Sequence, residues 1–287
     1  MKWIDLEIDW RRMEMIYRGI LGLMLIAMVG GIEVFAEDWE RVQSPPDEIP
    51  TYTIKRVNQG IEIDGVVDEA DWERTATIYF NFPWRGEQRD GRQGTIARML
   101  WDGKVLYISY VCDDPYLDSE VTEHDGPVYK EDAVEVFAAP GEDFSSYFGY
   151  EMNINGALLD YIAFGGGEEW TPHIYPPWQS EGVRIATTYD GTLNDHGDAD
   201  RGWSLEVAIP LSNFRHLGGR VPPQPGDKWR LNLNRTAGFR GKFSLWSDTH
   251  QPKPSFHHAV YFGEVFFSSE LVKKKCNCQQ KVGETLE

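Results

Sequence analysis

Residues 131–140 read "EDAVEVFAAP". From Ala133 to Ala139 the run is small, β-branched or aromatic, and Pro140 closes it, which is the signature of a strand bounded by a turn. Side chains alternate between the two faces of a strand. Val134, Val136 and Ala138 therefore share one face, and Glu135 points to the other. A buried carboxylate without partners is costly, so Glu135 faces either water or a group that needs it. Two other stretches share the pattern. "GYEMNIN" (149–155) places Tyr150, Met152 and Ile154 on one face and Glu151, Asn153 and Asn155 on the opposite one. "WRLNLNRT" (229–236) sets Leu231 and Leu233 against Asn232, Asn234 and Arg230. If the three pair in one sheet, Glu135, Asn153 and Asn234 converge. Ordinary hydrophobic-in, polar-out alternation meets the same pattern, although Asn is a poor strand former.

Further strand signals flank these three: "TIARMLW" (95–101), "VLYISYVC" (105–112), "ALLDYIAF" (157–164), "GVRIATTY" (182–189), "GWSLEVAIP" (202–210) and "AVYFGEVFF" (259–267). Asp102-Gly103 and Asn155-Gly156 suit tight hairpins because Gly accepts positive φ. Helical signal is confined to "DEADWERTA" (68–76), with Asp68 as cap and Trp72 turned inward, and "PLSNFRHL" (210–217). Many short strands with regular turns predict an all-β chain, a jelly-roll-type or immunoglobulin-like antiparallel β-sandwich with one or two short helices.

The chain has 287 residues and a formal net charge of −18. Such a balance repels phosphate backbones and argues against nucleic acid as a partner. Three Cys exclude a disulfide framework. Aromatics reach 13%, including 11 Trp, a composition that suits flat apolar ligands such as sugar rings as well as a packed core. Residues 1–36 read as a secretory signal: Arg11, Arg12 and Arg18, then "ILGLMLIAMVGG" (20–31), then a small-residue exit at Ala36. Asp5, Glu7 and Asp9 are unusual before such a signal, so the true start is expected at Met13 or Met15. The expected location is secreted or periplasmic, with membrane contact only through an uncleaved signal. Residues 37–50 are expected to be a Pro-containing linker, 51–268 the β-sandwich, and 269–287 a disordered polar tail.

The stretches "IEIDGVVDEADW" (61–72), "LWDGKVLYISYVCDDP" (100–115), "YKEDAVEVF" (129–137), "YEMNINGALLD" (150–160), "GWSLEVAIP" (202–210), "PGDKWRLNLNR" (225–235), "LWSD" (245–248) and "FHHAVYFGEVFF" (256–267) occur in this order. Together they resemble the family 9 carbohydrate-binding modules and their stand-alone secreted relatives. The resemblance implies a sandwich that clamps a sugar between aromatic side chains, with no chemistry of its own. It places the clamp at Tyr129 and Phe256, and the polar contacts at Glu135 and Asn153. Strand parity adds Asn234, and Arg235 with Trp246 forms either a stacked pair or sugar contact beside them or a pair buried against the sheet. The position of the family's basic contact holds Glu151. A structural calcium ion is implied near Asp114 and Asp132, which would need carbonyls and water to reach six to eight oxygen ligands.

Two other functions remain open on the sequence. Related sandwiches hold haem non-covalently, and Met152 with His124 or His173 offers a ligand pair, although no CxxCH motif is present. Glu135 and Glu151 also form a carboxylate pair of the kind a glycoside hydrolase uses. "FGGGEEW" (164–170) lacks the Lys-Ser/Thr of a phosphate loop. The spacing of His250, His257 and His258 matches no familiar zinc pattern. Trp170, Tyr175 and Trp178 are expected either to extend a ligand platform or to cover a sheet edge.

Overall fold

The computed structural model describes residues 49–80, 94–141, 144–166, 172–175, 178–238, 242–251 and 254–272. The expected signal, nearly all of the linker, the tail after Val272, Trp170 and the side chains of His173 and Tyr175 lie outside them.

Among the described residues the strands are β1 (Thr51–Arg56), β2 (Ile78–Phe80), β3 (Thr95–Trp101), β4 (Val105–Asp113), β5 (Ala133–Ala139), β6 (Ser146–Asn153) and β7 (Leu158–Gly166). They continue with β8 (Pro172–Tyr175), β9 (Arg184–Asp190), β10 (Gly202–Pro210), β11 (Lys228–Ala237), β12 (Lys242–Leu245) and β13 (Gly263–Leu271). One path of hydrogen-bonded neighbours runs β8-β7-β6-β5-β11-β13-β1-β3-β4-β10-β9, with β12 on β11 and β2 on β3. The pairings are antiparallel except at β1, which is parallel to both β13 and β3. The sheet is therefore mixed, not purely antiparallel as expected. β1 follows β13 from Thr51 to Ile54, shifts register, and passes Lys55 and Arg56 to β3. This strand curls the sheet over, so that its two halves pack as a sandwich.

The inner faces follow strand parity. Val134, Val136, Ala138, Tyr150, Met152, Leu231 and Leu233 from one layer share a core with Ala97, Met99, Ile108, Tyr110, Leu205 and Val207 from the other. Each large side chain so buried contributes about 1.5–3 kcal/mol. The Tyr110 hydroxyl spans the core and donates to the Glu135 carbonyl at 3.0 Å. Met152 belongs to this packed interior, so the geometry gives it to the core rather than to a haem. The hairpins at Asp102-Gly103 and Asn155-Gly156 form as read, with φ of 100° and 75° at the glycines.

Both outer faces carry a second, smaller core. On the β3–β4–β10 layer, Leu100, Tyr107 and Ala208 are covered by Val57, Ile61 and Trp72. Glu206 anchors this cover: its carboxylate accepts the Trp72 indole N–H at 2.8 Å and the backbone N–H groups of Asp64 and Gly65 at 3.2 and 3.1 Å. Gly65 has φ of 87°, and a Cβ there would overlap the Thr187 backbone, so the turn needs glycine. The first expected helix contracts to a 3-10 turn, Trp72–Arg74, with Asp71 rather than Asp68 at its cap position and no side-chain cap bond. The second contracts to Leu211–Phe214. The last expected strand begins late, because Ala259–Tyr261 forms another 3-10 turn, and β13 continues to Leu271.

Candidate functional site

The outer face of the β7–β6–β5–β11 layer carries the conspicuous polar row. Register sets Asn234 of β11 opposite Glu135 of β5, and Glu135 opposite Glu151 of β6. Asn234 Nδ2 donates to Glu135 Oε2 at 3.3 Å, and the Tyr161 hydroxyl donates to Glu151 Oε1 at 2.7 Å. Tyr161 reaches Glu151 by lying across Gly149, where any Cβ would overlap its ring. Glu135 is 2% exposed and Glu151 4%, so both carboxyls sit recessed rather than open to water. Asn234 Oδ1 and Glu151 Oε2 are buried with no hydrogen-bond partner among the described residues.

Burial, and then the Glu151 charge, raise Glu135 well above the carboxylate range, while the Asn234 bond opposes the rise. Burial pushes Glu151 up to about 7. Like charges on one cross-strand pair repel, so at neutral pH the pair retains a proton and presents both a donor and an acceptor. Aromatic groups flank the row. The His257 ring stacks on Phe137 at 5.1 Å and 16°, and its Nδ1 lies 2.5 Å from the Tyr147 hydroxyl. Burial lowers His257 to about 4, so it is neutral at pH 7. Phe256 is 6% exposed and meets Phe243 edge-on at 5.9 Å. Tyr129, on the 3-10 turn Val128–Lys130, is 46% exposed.

The other expected site residues lie elsewhere. Asn153 pairs with Ala133, two residues from the Glu135 position. Its Nδ2 donates to Val121 O at 2.8 Å and Glu131 Oε2 at 2.9 Å, and its Oδ1 accepts the Ala157 N–H at 2.9 Å. It thus fastens the loop before β5, together with Glu131, which the sequence reading passed over and which accepts the N–H groups of Glu120 and Val121. Arg235 has the parity of Leu231 and Leu233 and points inward. Its guanidinium donates to Asp114 Oδ2 at 2.5 Å, Thr95 Oγ1 at 2.9 Å and Asp113 O at 3.1 Å. Trp246 packs against the main core and meets Tyr52 edge-on at 6.5 Å.

Asp114 and Asp132 do not fit a calcium site. Asp114 Oδ1 accepts the Tyr116 N–H, and Asp132 accepts the Asp118 and Gly238 N–H groups at 2.7 and 2.8 Å. With Arg235 on Asp114 Oδ2, each of the four oxygens already has a donor and the guanidinium supplies the positive charge. Burial, then the Asp114 charge, push Asp132 up to about 8.

Fold and site together define a β-sandwich module with a recessed polar row on one outer face. The model of the carbohydrate family 9 binding domain-like family matches residues 63–270, and the chain belongs to that family. The chain is 29% identical over 162 residues to the exoglucanase XynX of Acetivibrio thermocellus, which covers 55% of this chain but only 12% of that much longer enzyme. Among solved structures it resembles a Bacteroides uniformis protein assigned to carbohydrate binding, with a TM-score of 0.58, 18% identity, and 77% of this chain and 100% of that one covered. It also resembles a family 9 carbohydrate binding module from Caldicellulosiruptor kristjanssonii solved with cellotriose, with a TM-score of 0.52, 17% identity, and coverage of 77% and 94%. At these identities the structural likenesses establish the fold.

Proposed function

We propose that this protein is an exported carbohydrate-binding module, and that the outer face of the β7–β6–β5–β11 layer holds the sugar. The observation that carries the reading is the Asn234–Glu135–Glu151 row: two buried acceptors without partners, beside a buried aromatic cluster of Phe137, Tyr147 and Phe256 with His257 stacked on Phe137. A sugar hydroxyl both donates and accepts, and meets Asn234 Oδ1 and Glu151 Oε2 with the donors they lack. Apolar walls with a few fixed polar groups are the usual composition of such sites. Tyr129 supplies an exposed ring at the rim. The modules solved with cellotriose and glucose support a β-glucan or its glucose end as the ligand class. The match to part of an exoglucanase supports a role in polysaccharide use, and the Arg-flanked apolar run before Ala36 supports export.

The test is a calorimetric titration of the chain from Glu37 with glucose, cellobiose and cellotriose, and with chromogenic glucosides to monitor turnover. The reading expects saturable binding without turnover, weakened at least tenfold by Asn234→Ala and by Tyr129→Ala. Turnover lost in Glu135→Gln would replace it with hydrolysis by the Glu135–Glu151 pair. Binding unchanged in both alanine variants would move the site to another face.

A further inference from the structure

Tyr161 and its neighbour Asp160 point to opposite faces of β7. Tyr161 serves the polar row, whereas Asp160 is fully buried on the other side, opposite Tyr150 of β6. Asp160 Oδ2 accepts the Ser180 N–H at 2.6 Å, while Oδ1 accepts no hydrogen bond among the described residues. His124 Nε2 stands 3.2 Å from that orphaned oxygen and 3.4 Å from Asp125 Oδ1. The donor atoms of His124, Asp125 and Asp160 all lie within 4.8 Å of one another. Each carboxylate is braced at its other oxygen, since Gln179 Nε2 donates to Asp125 Oδ2 at 2.8 Å.

We propose that His124 Nε2, Asp125 Oδ1 and Asp160 Oδ1 bind one divalent transition-metal ion of the zinc class. Ligand atoms about 2.0–2.1 Å from a tetrahedral ion lie about 3.3–3.4 Å apart, which matches the two imidazole–carboxylate distances. An imidazole with two carboxylates suits zinc better than calcium, which takes six to eight oxygens. Ser180 and Gln179 are the outer hydrogen bonds that keep such ligands in orientation. Gln179 Oε1 lies 2.5 Å from His124 Nε2. An ion on Nε2 would take the place of that oxygen, so the Gln179 amide swings aside on binding or turns to supply the fourth ligand. His124 is half exposed, so the ion has a path in. The ion joins β7 to the segment before Val128–Lys130, because the Asp125 N–H already donates to Leu158 O at 2.8 Å. Asp160 lies on the opposite face of β7 from the polar row, and the ion fastens the segment that leads into Val128–Lys130. The proposal stands independently of sugar binding.

The experiment uses the full chain, stripped with chelator, dialysed, and titrated calorimetrically with zinc chloride and separately with calcium chloride. Cobalt(II) absorption reports the coordination geometry. The expected result is one zinc per chain, a visible cobalt spectrum of tetrahedral intensity, and at least a tenfold loss of zinc affinity in His124→Gln and Asp160→Asn. The tail carries two further thiols that could take zinc, Cys276 and Cys278; replacing both by Ser should leave the site intact. His124→Gln alters an exposed side chain, so it tests the site even if Asp160→Asn unfolds. Zinc affinity unchanged in His124→Gln, zinc binding lost only with the two cysteines, or no zinc binding at all would each overturn the proposal.

Discussion

Replacing Glu151 by Gln should stabilise the protein, and only at neutral to alkaline pH. The gain can be worked from the geometry. Directly opposed residues on neighbouring strands have Cβ atoms about 5 Å apart. Two unit charges at that separation repel by about 3 kcal/mol at an effective dielectric constant near 20. The titration gives a figure of similar size from a different cause: burial, not the Glu135 charge, moves this carboxyl from 4.5 to about 7, which corresponds to on the order of 3 kcal/mol. The sign follows from proton counting. Between these pH values the folded chain keeps a proton that the unfolded chain has released, so the native state binds more protons and stability falls as pH rises. The contribution is fully present below pH 4.5 and is lost as pH climbs through about 7. Gln keeps an acceptor for the Tyr161 hydroxyl and adds a donor toward Glu135. Glu151→Gln should therefore be nearly neutral at pH 4.5 and more stable than the natural chain by about 3 kcal/mol at pH 8, or about 6–12 °C in Tm for a domain of this size. Urea unfolding at pH 4.5, 6 and 8 reads this directly. A variant destabilised equally at all three values would refute a shared-proton pair.

Three other outcomes follow from the packing. Arg235→Met strands the Asp114 carboxylate in a buried pocket and should cost about 3–5 kcal/mol, seen as a drop of about 6–20 °C in the calorimetric Tm. Trp72→Phe removes one of the three hydrogen bonds that the buried Glu206 accepts and should cost about 1.5–3 kcal/mol in urea unfolding. Gly149→Ala drives the Tyr161 ring off Glu151; carbohydrate affinity measured by calorimetry should fall at least tenfold, while far-ultraviolet circular dichroism still reports a β protein.

Much of this architecture is written in strand parity. The alternation in "AVEVFAA" and "WRLNLNRT" assigns the inner faces correctly, because a period of two leaves each side chain only one choice of face. Applied consistently, the same parity places Arg235 inward with Leu231 and Leu233, yet its nearness to Trp246 in sequence suggests a site residue. Register is harder to read. That Glu151 and not Asn153 faces Glu135 depends on where the β5–β6 hairpin closes; Pro140-Gly141 marks a turn there, but a connection longer than two residues does not fix the register. β2, β8 and β12 are too short for alternation to register, and in β1 it runs only from Thr51 to Ile54 before Lys55 and Arg56. The parallel pairing of β1 leaves no mark in its own sequence. The role of Glu131 is hidden for another reason: its partners are backbone N–H groups eleven and ten residues away, which any sequence would supply. The His124–Asp125–Asp160 cluster joins His124 and Asp125 to a residue 36 and 35 positions further on, through a loop whose path the sequence does not dictate.

The central claim is that sugar is held on the outer face of the β7–β6–β5–β11 layer. Hydrogen-exchange mass spectrometry of the chain with and without cellotriose tests it most directly. The account predicts added protection in peptides spanning 129–137, 146–153 and 254–262, with the β4–β10–β9 edge unchanged. Protection confined to β4, β9 and β10, with the Glu135 row unaffected, would contradict it.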